Sequence, residues 1–197
     1  MYSTKEELEE LRRQLKAMPH DLLVDTITEY ASGDKNLWMH LLVIANLAAK
    51  NNDLAFNQVK EQIDLVYGDE DIPQCLEHDQ KLPFYSVQEL IAQLLTAGMA
   101  QEAARACEHA FTYGENIAGV TWPDVFIGDC YDSIVDTWIK SQKAMEISEA
   151  EMAKKILLLE QYDEYGIFSR VEKQLAELGS PEAANTYTEL RQAKSRK

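Results

Sequence analysis

Residues Pro83–Gly114, PFYSVQELIAQLLTAGMAQEAARACEHAFTYG, decide the fold, because they hold a helix–turn–helix with punctuation at both ends. Ser86 followed three residues later by Glu89 is a capping-box pattern, in which each side chain bonds the other residue's backbone N–H, and it predicts a helix start there. Val87, Leu90, Ile91, Leu94 and Leu95 then fall on one stripe of a 3.6-residue period. Gly98 ends this helix, since glycine enters the left-handed turn without a Cβ penalty. The next helix carries Met99, Ala103, Ala106, Cys107 and Ala110 on its inner face, and so many small residues predict a close approach of helix axes. Gly114 closes the unit.

Working outward, the same signals recur. Ser3-x-x-Glu6 opens a charged first helix with a narrow Leu8, Leu11, Leu15 stripe, expected to be half exposed. Pro19 starts a second helix, with Leu22, Leu23, Ile27 and Tyr30 read as facing inward until Gly33. Asp34 caps a third, whose Leu37, Trp38, Leu41, Leu42, Ile44, Ala45 and Ala48 cover more than half its circumference and predict a central position. A fourth runs through Phe56, Val59, Ile63, Val66 and Tyr67 to Gly68.

From Gly68 to Pro83 two prolines, a glycine and clustered acids read as a long loop. Beyond Gly114 a second irregular stretch contains Trp122, with Asp124 as a cap. Ile127, Cys130, Tyr131, Ile134, Trp138 and Ile139 line the helix after it, which extends toward Ala144. Ser148-x-x-Glu151 opens a further helix through Met152, Ile156, Leu159 and Tyr162. Ile167, Phe168, Val171, Leu175 and Leu178 lead to Gly179, and Ser180-Pro181 starts the last helix.

With eight glycines, five prolines and interiors rich in Ala, Leu, Glu, Gln and Lys, the 197-residue chain is all-α: about ten antiparallel helices in hairpins, of solenoid-like kind. We read it as one domain, 1–197, with sub-units 1–68 and 84–194 joined by the acidic loop 69–83. Three turns look alike, KNNDLAFNQV, AGMAQEAARAC and LGSPEAANTY. They resemble the second-helix pattern of tetratricopeptide hairpins, although the full signature at a fixed period of ~34 residues is missing.

The order of features also resembles a bacterial family of all-helical domains of unknown function, sometimes found beside SWIM-type zinc fingers. The resemblance spans about Leu37 to Leu190 and rests on the Tyr85–Gly114 hairpin, the Asp124–Trp138 helix, Asp163, Tyr165, Gly166 and Phe168, and the Leu178–Gly179 turn with Tyr187. It implies a helical fold and assigns no residue a role. The Cys/His cluster of a SWIM finger is missing.

Composition narrows function. The formal charge of −15 repels nucleic-acid backbones, so direct DNA or RNA binding is not expected. Cys75, Cys107 and Cys130 imply no disulfide framework and fit a reducing cytosol. No membrane span or signal peptide is read, and the expected location is cytoplasmic. Cys75-x-x-His78 has ligand-like spacing, but Cys107 and His109 lie two apart on a helix and cannot face one ion, so Cys107 reads as core and His109 as surface. Asp129, Asp132 and Asp136 share a helix face and could hold a hard cation; the solvated reading is favoured over that metal-dependent hydrolase. No nucleophile, phosphate-loop or dinucleotide motif occurs, so neither catalysis nor a cofactor is expected.

Charge distribution carries the functional expectation. No Lys or Arg interrupts the seven acids between Lys60 and Lys81 or the six between Arg105 and Lys140. An acidic surface with an aromatic anchor, drawn from Asp69, Glu70, Asp71, Trp122, Asp124 and Asp129, is expected to bind a basic segment of a protein partner. The alternative is an acidic mimic of nucleic acid that inhibits a DNA- or RNA-processing or defence enzyme.

Overall fold

The computed structural model describes residues 5–68, 78–114, 125–162, 168 and 170–195, the side chains at 36, 78–82, 125–130 and 195 excepted. Among these are ten α-helices and no strand, so the chain is an all-α helical array. It divides into two compact units, Met1–Leu41 and Leu42–Lys197.

The first unit contains α1 (Lys5–Ala17), α2 (His20–Ser32) and the opening of α3 (Lys35–Ala48). Pro19 precedes α2, Gly33 caps its end, and the Asp34 carboxylate accepts the Leu37 N–H at 3.0 Å to start α3. The burial expected of α2 is corrected: Leu22, Ile27 and Tyr30 are exposed, and Ala31 is the one buried residue among the described side chains of this unit. Amphipathic spacing fixes which face is apolar, but burial needs another element laid over it. The central position expected for α3 is corrected for the same reason. Val43 and Leu47 reach the core of the second unit, whereas Leu37, Trp38 and Ile44 are exposed.

The second unit runs α4 (Asn52–Tyr67), α5 (His78–Thr96), α6 (Ala100–Phe111), α7 (Val125–Ala144), α8 (Glu149–Leu159) with a 3₁₀ turn (Glu160–Tyr162), α9 (Val171–Gln174) widening into a π turn (Leu175–Gly179), and α10 (Pro181–Ser195). Its hub is α6, which packs against α4, α5 and α7. That is why its face is alanine: Ala103, Ala106 and Ala110 are fully buried with Cys107, and only small side chains let three helices close on a fourth. Tyr67 meets Phe84 and Tyr131 edge-on at 5.4 and 5.8 Å, and Phe111 meets Tyr131 and Phe168, so one aromatic chain links α4 to α7.

The start expected at Ser86 is also corrected. Helix α5 begins at His78 and passes through Pro83 with Ser86 in its interior. Phe84 explains this, because it extends the Val87–Leu94 stripe one turn upstream and is buried against Tyr67. Burying a phenyl ring is worth roughly 1.5–3 kcal/mol, against about 1 kcal/mol for an N-cap. At α8 and α10 the caps hold as read, with Ser148 accepting from Glu151 N–H and Ser180 from Ala183 N–H.

Three hairpin turns share one backbone device. Lys50, Gly98 and Glu146 have φ of 59°, 82° and 57°, and the amide following each bonds back to the carbonyls of Asn46, Leu94 and Gln142. These are Schellman closures, evenly spaced along the chain. The likeness expected at Gly179 is corrected, since that residue ends a π turn; there Lys143 Nζ donates to the carbonyls of Leu178 and Gly179 at 2.9 and 3.3 Å. Because non-glycine residues in the left-handed region carry roughly 1 kcal/mol of strain, Lys50→Gly and Glu146→Gly are each expected to raise unfolding free energy by roughly that amount in a urea titration. Gly98→Ala should lower it comparably, as a Cβ there meets nothing within 4 Å and only the backbone resists.

Candidate functional site

In the second unit a group of polar side chains converges where α4 meets α6. Lys60 and Asp64 lie one turn apart on α4, and His109 lies one turn before Tyr113. Asp64 Oδ2 accepts from Lys60 Nζ at 2.8 Å, while Oδ1 takes the Tyr113 hydroxyl at 2.7 Å and His109 Nε2. Burial works to raise the Asp64 carboxyl, but hydrogen bonds from Lys60, Tyr113 and His109, with the charge of His109, outweigh it and hold it at about 2. The same bond, followed by burial and the Asp64 charge, pushes the Tyr113 hydroxyl up. His109, expected at the surface, is therefore corrected to an inter-helix tie.

Beside this tie opens a cleft of about 410 Å³, lined in part by Phe56, Lys60, Arg105, His109, Leu158 and Tyr162. The Arg105 guanidinium stands over the Phe56 ring, 4.3 Å from its centre. A His–Asp pair can activate a nucleophile, but the Thr112 hydroxyl is turned back onto the His109 carbonyl at 2.7 Å. Cys107 is fully buried, and burial with the neighbouring Glu108 charge pushes its thiol well up. The arrangement suits cross-linking of helices.

Other carboxylates act likewise. Glu108 accepts from the Trp138 indole N–H at 3.0 Å, and Glu160 from the Tyr187 hydroxyl. Asp132 pairs with Arg170, and Asp136 accepts from Gln174 Nε2 at 2.8 Å. The solvated face read for Asp132 and Asp136 is thus corrected: α9 lies against α7, and Arg170, just before α9, and Gln174, at its end, engage them. Among the described residues no group of three His, Cys, Asp or Glu is placed to hold a metal ion. The expected partner-binding residues Asp69, Glu70, Asp71, Trp122 and Asp124, with Cys75, and the side chains of His78, Asp129 and Cys130, lie outside what is described.

The first unit presents a surface that periodicity assigns to the core. On α2, Asp21, Asp25 and Glu29 fall at i, i+4 and i+8, and all three are exposed. Asp21 lies 3.6 Å from His20; Asp25 and Glu29 make no ion pair among the described residues. The row is flanked by Leu22 and Tyr30, the latter 73% exposed. No described helix is long and apolar enough to cross a membrane.

The Asp64 tie makes stability pH-dependent at the acid end. A carboxyl held at about 2 against an ordinary 3.8 contributes stability that is complete above about pH 4 and is lost as pH falls toward 2. Asp64 is partly exposed, so solvent screening keeps the contribution small. Thermal melts are expected to show Asp64→Asn destabilised at pH 7 and converging with the parent toward pH 2.

No protein-family model, curated protein or solved structure matches the chain.

Proposed function

We propose that the protein is a non-catalytic interaction module that binds a basic segment of a protein partner through an acidic surface with apolar anchors. The observation that carries this reading is the exposed α2 row, Asp21, Asp25 and Glu29, set beside Leu22 and Tyr30 in a chain of net charge −15. Opposite charge steers a basic segment to such a surface and sets its register, while tyrosine and leucine supply the area that water leaves on contact. Large exposed apolar side chains gathered in one region mark interaction sites in soluble domains.

The acidic stretches around Asp69, Glu70 and Asp71, and around Trp122, Asp124 and Asp129, belong to the same reading on sequence grounds. The test is retention of a basic protein by the tagged full chain from its native cells. Asp25→Lys with Glu29→Lys is expected to weaken retention at least tenfold with the melt unchanged, while reversal of the exposed Glu149 leaves it intact. Equal retention by the α2 variant would overturn the role of α2. Equal retention after reversal of Asp69, Glu70 and Asp71 would remove that stretch.

A further inference from the structure

Helix α1 carries a second exposed surface, with different chemistry. Its leucines Leu8, Leu11 and Leu15 are 55, 50 and 38% exposed and line a groove of about 540 Å³ that Leu23 of α2 helps to close. Along its length charge changes sign: Lys5, Glu6, Glu7, Glu9 and Glu10 give the part before Leu11 a net charge of −3, and Arg12, Arg13 and Lys16 give the part after it +3. Glu9 and Arg12 lie on the groove side of the stripe and form no ion pair among the described residues, whereas Glu10 is engaged by Arg13 and Gln14 within the helix.

A helix whose two halves have opposite charge complements itself when turned end for end. From this polarity we infer that α1 pairs with α1 of a second copy of the chain, antiparallel, about a two-fold axis near Leu11. In that arrangement Leu8 meets Leu15 of the second copy and Leu11 lies across the axis from its equivalent. Glu9 reaches Arg12 of the second copy, and the reciprocal pair forms by symmetry. A parallel pair would set the four glutamates against one another. A basic segment of another protein, the ligand proposed for α2, would meet Arg12, Arg13 and Lys16 here, so the two surfaces select different occupants.

One pair of 13-residue helices is a small interface, and the dimer is expected to be weak, with dissociation in the micromolar range. Sedimentation equilibrium of the full chain from about 1 to 500 µM tests it. The parent is expected to move from monomer to dimer, and Leu11→Asp to remain monomeric with an unchanged melt. Glu9→Lys and Arg12→Glu should each weaken dimerisation about tenfold, and the two combined should restore it. A parent that stays monomeric at 500 µM, or a dimer indifferent to Leu11→Asp, would overturn the inference. Single charge reversals without rescue by the double variant would overturn the antiparallel arrangement.

Discussion

Trp138→Ala is expected to cost about 4 kcal/mol of unfolding free energy, a large share of the ~5–15 kcal/mol that holds an ordinary domain folded. Trp138 is fully buried on α7 and is among the largest side chains enclosed by the second unit. Its loss opens a cavity against α6 that rigid helices close only in part. It also removes the indole N–H from Glu108, leaving a partly buried carboxylate without that donor. Trp138→Phe separates the two effects: it keeps most of the volume and is expected to cost about 1–2 kcal/mol, mainly for the unpaired carboxylate. Urea unfolding followed by circular dichroism measures both, and a loss under about 1 kcal/mol for Trp138→Ala would contradict the packing described here.

The second large effect comes from adding volume. Ala106 is fully buried on α6, the helix on which α4, α5 and α7 converge. Ala106→Leu is expected to destabilise by about 1–3 kcal/mol or more, because three extra carbons must push apart axes that alanine allows to approach. The exposed Gln101 on the same helix is the control, and Gln101→Leu should leave stability within about 0.5 kcal/mol. The contrast distinguishes a close-packed hub from a helix that merely favours alanine.

Much of the second unit is legible because periodicity and breakers agree there. The stripes of α4 and α6, the start of α10 at Ser180-Pro181, and the stops at Gly68 and Gly98, follow from spacing and turn chemistry alone. At α5 two local signals, Ser86–Glu89 and Pro83, point to a start that the burial of Phe84 overrides. The left-handed backbone at Lys50 and Glu146 stays hidden, although a turn is read at Lys50, because neither residue type announces that conformation.

Contacts between distant residues are less accessible. Lys60 with Asp64, and His109 with Tyr113, are i, i+4 pairs visible in the sequence, but their meeting depends on how α4 lies on α6. The exposure of Leu22, Tyr30 and Trp38 escapes a sequence reading for a different reason. A helical stripe says which side chains would be buried together, and says nothing of whether the chain supplies a surface to bury them.

Hydrogen exchange of the full chain, alone and with its captured basic partner, tests the interaction reading most directly. Slower exchange in α2, over His20–Ser32, with the α4–α6 cleft unchanged, is the predicted result. Protection confined to the cleft around Lys60, Arg105 and His109, with α2 exchanging as in the free chain, would contradict it.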